Sequence, residues 1–79
     1  MNDTYNGWAN YETWNVALYI QNEVSLYRLA RSLKHRRNPY AEFRYLMTDE
    51  FGTTRTPDDV SYNDPSLDTD ELNEMISEL

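Results

Sequence analysis

The stretch NYETWNVALYIQNE, residues 10–23, packs two tyrosines and a tryptophan among asparagines and glutamates, and its periodicity decides the fold. Asn10 is suited to an N-cap, because its side-chain oxygen can accept from an otherwise orphaned backbone N–H one turn on. A helix then runs from about Tyr11 to Asn22. Along it Tyr11, Trp14, Ala17, Leu18 and Gln21 recur at helical spacing and form one face. Val16 and Ile20 make a second row, which leaves Glu12 and Asn15 to solvent. The apolar stripe is wide, as expected of a helix touching two neighbours. On this reading Trp14 is buried, and Trp14→Ala is expected to cost about 3–5 kcal/mol.

Working outward, residues 1–9 read as an irregular arm with Tyr5 and Trp8 as anchors. Past Glu23, the run NEVSLYRLARSLKHRRN predicts a second helix, with Asn22 ending the first and capping the second. Leu26, Ala30 and Leu33 form its stripe, and its basic residues near the C-terminus complement the negative end of the helix dipole. A third helix opens at Asn38, with Pro39 at the first helical position, where a missing N–H costs nothing. Tyr40, Phe43 and Met47 repeat along it, and Gly52 suits the left-handed residue that ends a helix.

Residues 53–66 break the pattern. Thr-Pro-Asp-Asp favours a type I turn with Pro57 second, across which residues 53–56 and 60–62 can pair as a short two-stranded β-ribbon. Residues 68–79 predict an acidic C-terminal helix. Asp68 and Glu71 have capping-box spacing, Leu67 and Leu72 that of a hydrophobic staple. The fold class is therefore mainly α: one small domain over residues 1–79, of three to four helices with a short ribbon before the last. Its expected core is Tyr11, Trp14, Ala17, Leu18, Leu26, Ala30, Leu33, Phe43, Met47, Leu72, Met75 and Ile76.

With 79 residues the chain buries little surface, and it has no cysteine to staple a core or ligate a metal. The single histidine, His35, makes an imidazole zinc site implausible. No apolar run reaches the roughly 20 residues that span a bilayer, and the N-terminus lacks the pattern of a signal peptide. Cytoplasmic localisation, with no membrane partner, is the expectation. The net charge of −7 is unevenly spread. Residues 1–55 sum to +1, whereas residues 56–79 hold eight acids and no base.

These charges define the candidate sites. The acidic face comprises Asp58, Asp59, Asp64, Asp68, Asp70, Glu71, Glu74 and Glu78. Its carboxylates lack the layout of a calcium loop, so no metal or cofactor is implied, and no nucleophile–base constellation points to an enzyme. The same face can instead imitate DNA phosphates. The basic patch is Arg28, Arg31, Lys34, Arg36 and Arg37, beside His35. It can follow a phosphate backbone, but the overall negative charge opposes nucleic acid at long range. Tyr5, Trp8, Tyr19, Tyr40, Tyr45 and Tyr62 are the candidates for contact with a protein partner, since Tyr and Trp are enriched at interface hot spots. Within the first helix, Tyr19 and Gln21 at its edges are favoured over Trp14. Opposite charges on neighbouring copies also allow a homo-oligomer.

The opening stretch resembles a motif, Asn-Tyr-x-Thr-Trp-Asn-Val-Ala-Leu-aromatic-Ile-x-Asn-acid, of a family of small proteins from bacteriophages and some bacteria. The matching positions are Asn10, Tyr11, Thr13 to Ile20, Asn22 and Glu23. The ending TPDDVSYNDPSLDTDELNEMISEL is similar to the family's closing pattern, with Asp59 where glycine is expected and Tyr19 where tryptophan is commoner. A glycine at 59 would favour a bulged hairpin turn. The resemblance implies a phage accessory protein and carries no activity. It favours a non-enzymatic protein that binds and modulates a host protein, such as a defence nuclease.

Overall fold

The computed structural model describes residues 4–79. Among these the helices are α1 (Tyr11–Asn22), α2 (Val24–Ser32), α3 (Pro39–Tyr45) and α4 (Thr69–Ser77), with a π-helical turn at Leu46–Glu50. The domain is mainly α, with α4 packed on each of the other three helices and α1 against α2. Its core gathers Val16, Ala17 and Ile20 from α1, Ala30 and Leu33 from α2 and its exit, Tyr40, Phe43 and Met47, and Leu72, Met75 and Ile76 from α4. Val60, Tyr62 and Leu67 close it from the irregular segment.

The face that α1 buries is not the one its largest apolar residues mark. Thr13, Asn15, Val16, Ala17 and Ile20 are buried, while Tyr11 is 38% exposed and Trp14 and Leu18 are only half-buried. Three core positions expected on α1 therefore lie outside it, and Leu26 of α2, also expected in the core, is half-buried against it; Asn15, expected in solvent, lies inside. The physical reason is that polar side chains can be buried when every donor and acceptor finds a partner. The Thr13 hydroxyl donates to Asn10 Oδ1 at 2.6 Å and accepts the Asp68 N–H at 2.9 Å. Asn15 accepts from the Thr56 hydroxyl at 2.7 Å and donates to Asp58 at 2.8 Å. No buried side-chain N or O atom among the described residues lacks a partner.

The helix ends follow the cap chemistry, with two tertiary changes. Asn10 caps α1 by accepting the Thr13 N–H, and Asp68 caps α4 by accepting the Glu71 N–H. The reciprocal half of the Asp68–Glu71 capping box is absent. The Asp68 N–H already serves the Thr13 hydroxyl, and the Glu71 carboxylate accepts from Ala9 N–H of the N-terminal segment instead. At α3, Asn38 makes no side-chain cap; Asn73 of α4 accepts the Tyr40 N–H from across the interface. Between α1 and α2 the corner residue is Glu23, in extended conformation, whereas Asn22 donates back to the Leu18 carbonyl.

Three local features depart from the sequence reading. The segment expected as an irregular arm contains a two-residue hairpin, in which Tyr5 and Trp8 exchange both backbone hydrogen bonds around Asn6 and Gly7. Both central residues have positive φ, 49° and 89°, which is the conformation Asn-Gly favours. The third helix widens into π geometry, where Thr48 donates its hydroxyl to the Arg44 carbonyl and competes with the helical ladder. It still ends at Gly52, with φ of 69°. The expected ribbon is reduced to a single bridge, Arg55 to Ser61. Thr56 and Val60 close the turn by a 2.9 Å bond, and Asp59 takes φ of 69°. The bulged turn thus forms without glycine.

Thr13→Val should cost about 1–3 kcal/mol, because it keeps the shape but strands the Asp68 N–H and an Asn10 acceptor. Trp14→Ala should cost only about 1–2 kcal/mol from its half-buried ring. Urea denaturation of both variants checks this; a loss above ~3 kcal/mol for Trp14→Ala would mean that the ring is in the core. Asp59→Gly should stabilise the fold by about 0.5–1 kcal/mol, since relief of left-handed strain outweighs the added freedom of the unfolded chain. The same titration reads that gain.

Candidate functional site

An open groove of about 390 Å³ runs along α4 between the N-terminal hairpin and the end of α1. Glu71, Glu74 and Glu78 line it at helical spacing, and Trp8, Met75 and Leu79 supply apolar surface. Glu71 is held by the Ala9 N–H at 2.8 Å. Glu74 and Glu78 are exposed, and neither belongs to the ion pairs of the described residues, which are Arg36–Glu42 and Arg55–Asp59. Gln21, at the edge of α1, also lines this groove.

The rest of the acidic face is occupied with structure. Asp58 accepts from Asn15 and engages the Tyr19 phenol, whose pKa is pushed up by partial desolvation and then by that carboxylate. Asp59 sits 3.5 Å from Arg55. Asp64 accepts from both the N–H and the hydroxyl of Ser66, which hold its carboxyl below the usual range. Asp68 caps α4. The carboxylates of Asp70, Glu74 and Glu78 make no hydrogen bond or ion pair among the described residues. No three His, Asp or Glu side chains among those residues converge as a metal site would require.

The basic patch is likewise divided. Lys34 donates to the Leu79 carbonyl just beyond the C-terminus of α4, where a cation complements the helix dipole. Arg36 lies 3.6 Å from Glu42. Arg28, Arg31 and Arg37 are exposed and outside both ion pairs.

Of the aromatic contact candidates, Tyr40 and Tyr62 are buried and belong to the core. The Tyr40 hydroxyl donates to the Tyr62 carbonyl at 2.7 Å, and both rings pack against Phe43. Tyr5 and Tyr45 are exposed. Trp8 is half-buried in the acidic groove. Tyr11 and Trp14, set aside as core, instead form an outward cluster with Tyr5, at ring separations of 5.0–5.7 Å. Their positions at i and i+3 are the sequence signal for that pairing; Tyr5 joins them only because the Asn6-Gly7 turn folds it back. A second groove, of about 300 Å³, lies between α2 and the π-helical turn.

A single family model spans residues 1–79. The chain belongs to a family of unknown function, DUF7249. No curated protein and no solved structure matches it. Membership of DUF7249 assigns no residue a role, so the site rests on its own geometry. No helix among the described residues is long and apolar enough to cross a membrane.

Burial raises the pKa of both Tyr40 and Tyr62 above the ordinary value of 10.0. The folded state thus holds these phenols neutral. The resulting stability is present below the unfolded value near 10.0 and is lost as pH rises beyond it towards the folded values. Alkaline denaturation should therefore steepen above that pH, and Tyr40→Phe should flatten this limb while lowering stability at neutral pH. An unchanged limb in Tyr40→Phe would contradict the buried neutral phenol.

Proposed function

We propose that this protein acts without catalysis, by binding another protein through the acidic groove beside Trp8. One observation carries the reading: two unpaired carboxylates, Glu74 and Glu78, flank an apolar floor of Trp8, Met75 and Leu79 in a preformed cleft. Such a cleft suits a basic segment whose cations meet the carboxylates while its apolar stems lie on the indole and thioether. The phage setting implied by the motif resemblance makes a host protein in the host cytoplasm the expected partner, with nucleases of defence systems the first class to test.

Two other readings have less support. A DNA mimic needs a free run of carboxylates, yet five of the eight acids are engaged as caps, turn acceptors or pair members. Nucleic-acid binding by the basic patch would rely on Arg28, Arg31 and Arg37 with Lys34 and Arg36 already engaged.

Immobilised protein should capture a host protein, and the double substitution Glu74→Lys/Glu78→Lys should weaken capture by about tenfold or more through like-charge repulsion. Both side chains are exposed, so melting temperature should hold. Capture unaffected by the double substitution would remove the groove as the binding site. Salt-sensitive retention of DNA by the wild-type chain would favour the basic patch instead.

A further inference from the structure

Where α3 packs on the start of α4, a small cleft of about 170 Å³ is lined by Asn38, Tyr40, Ala41, Arg44, Thr69 and Asn73. It shares no residue with the acidic groove. In a chain with fourteen acids, none of these lining residues is a carboxylate. Tyr40 and Arg44 stand four apart on α3, as Thr69 and Asn73 do on α4, so each pair shares a helix face. Glu42 pairs with Arg36, and Asp70, beside Thr69 in sequence, is exposed.

The polar groups of this cleft are donors without acceptors. The Tyr40 N–H donates to Asn73 Oδ1 at 2.8 Å, which fixes the amide orientation. Its oxygen is engaged, and its two N–H groups have no acceptor among the described residues. The Arg44 guanidinium belongs to neither ion pair of those residues. It is half-buried and lies 6.0 Å from the centroid of the Tyr40 ring, over its face. That ring is itself buried and held by the 2.7 Å bond from its hydroxyl to the Tyr62 carbonyl. Thr69 adds a hydroxyl, and Asn38, which makes no side-chain cap, adds a second amide.

A positioned guanidinium among unused donors lacks only an anion. Its planar fork of N–H groups matches a carboxylate or a phosphate. The two oxygens of a carboxylate are satisfied by the fork alone. A phosphoryl group has a third terminal oxygen for the Asn73 amide or the Thr69 hydroxyl. The volume lies below the roughly 300–1,000 Å³ of sites that enclose a whole small molecule, so it suits one ionic head group. We propose that this cleft binds the phosphoryl group of inorganic phosphate or of a small phosphomonoester, with Arg44 and Asn73 as its main donors.

Chemical shifts of the full chain, titrated with inorganic phosphate and with glycerol 3-phosphate, test the proposal. Saturable shifts are expected at Arg44, Thr69 and Asn73, and none with sodium chloride at matched ionic strength. The tighter of the two probes identifies the ligand as the free or the esterified form. Asn73→Asp keeps the oxygen that accepts the Tyr40 N–H but replaces the amide donors by negative charge. It should weaken phosphate binding about tenfold or more, as like-charge juxtaposition does, with the melting temperature held. Arg44→Met should weaken it comparably, and Arg44→Lys should fall between, because it keeps the charge without the fork. Arg44→Met leaves the Tyr40–Asn73 bond untouched and decides the matter if Asn73→Asp lowers stability. Absence of saturable shifts with both probes overturns the proposal. So do shifts that survive Arg44→Met, or acetate that binds as tightly as phosphate.

Discussion

The Thr13 hydroxyl joins the N-termini of two helices that lie far apart in sequence. It donates to the cap of α1 and accepts the backbone N–H of the residue that caps α4. Around it Asn10 donates to the Ser66 carbonyl, and Glu71 takes the Ala9 N–H, so both chain entries are fixed against each other. This matters because α4 spans only Thr69–Ser77, and helices of that length are marginal in isolation. Its buried Leu72, Met75 and Ile76 join the common core, and the polar junction ties the start of α4 to α1. The same device recurs where Asn73 of α4 satisfies α3. Helix ends here are completed by neighbours, which ties helix formation to tertiary packing.

Much of this was legible in the sequence, and what was not has a common cause. Asn10, Pro39, Gly52 and Asp68 mark helix boundaries because cap and terminator chemistry is local. The α1 face was misread because size and hydrophobicity nominate Tyr11, Trp14 and Leu18, whereas burial of Thr13 and Asn15 depends on partners more than forty residues away. Only tertiary structure supplies those partners. The Asn6-Gly7 hairpin is different: its dipeptide is a strong local signal, and short flanking segments masked it. The π-helical turn has no clear sequence mark beyond Thr48. In the acidic groove, the spacing of Glu71, Glu74 and Glu78 was readable from the helix, but Trp8 reaches them only through the hairpin.

These placements separate architecture from surface. Asn10, Thr13 and Asn15, three polar letters of the opening stretch, are engaged in internal hydrogen bonds. Tyr11 and Trp14, from the same stretch, face outward with Tyr5. The acidic face divides in the same way, since five of its eight acids are engaged within the fold while Glu74 and Glu78 face the groove. Much of the dense polar and charged character of the sequence therefore holds the chain together, and a smaller set of side chains is free to meet a partner.

Native-state amide hydrogen exchange at Asp68 tests the Thr13 junction most directly. We expect the Asp68 N–H to exchange as slowly as amides of buried α1 residues such as Ile20, through global unfolding alone, because it is held by a side chain fixed in α1. Exchange at the rate of an exposed loop amide, with the α1 core still protected, would show that α1 and α4 hold together without this bond and would contradict its central place.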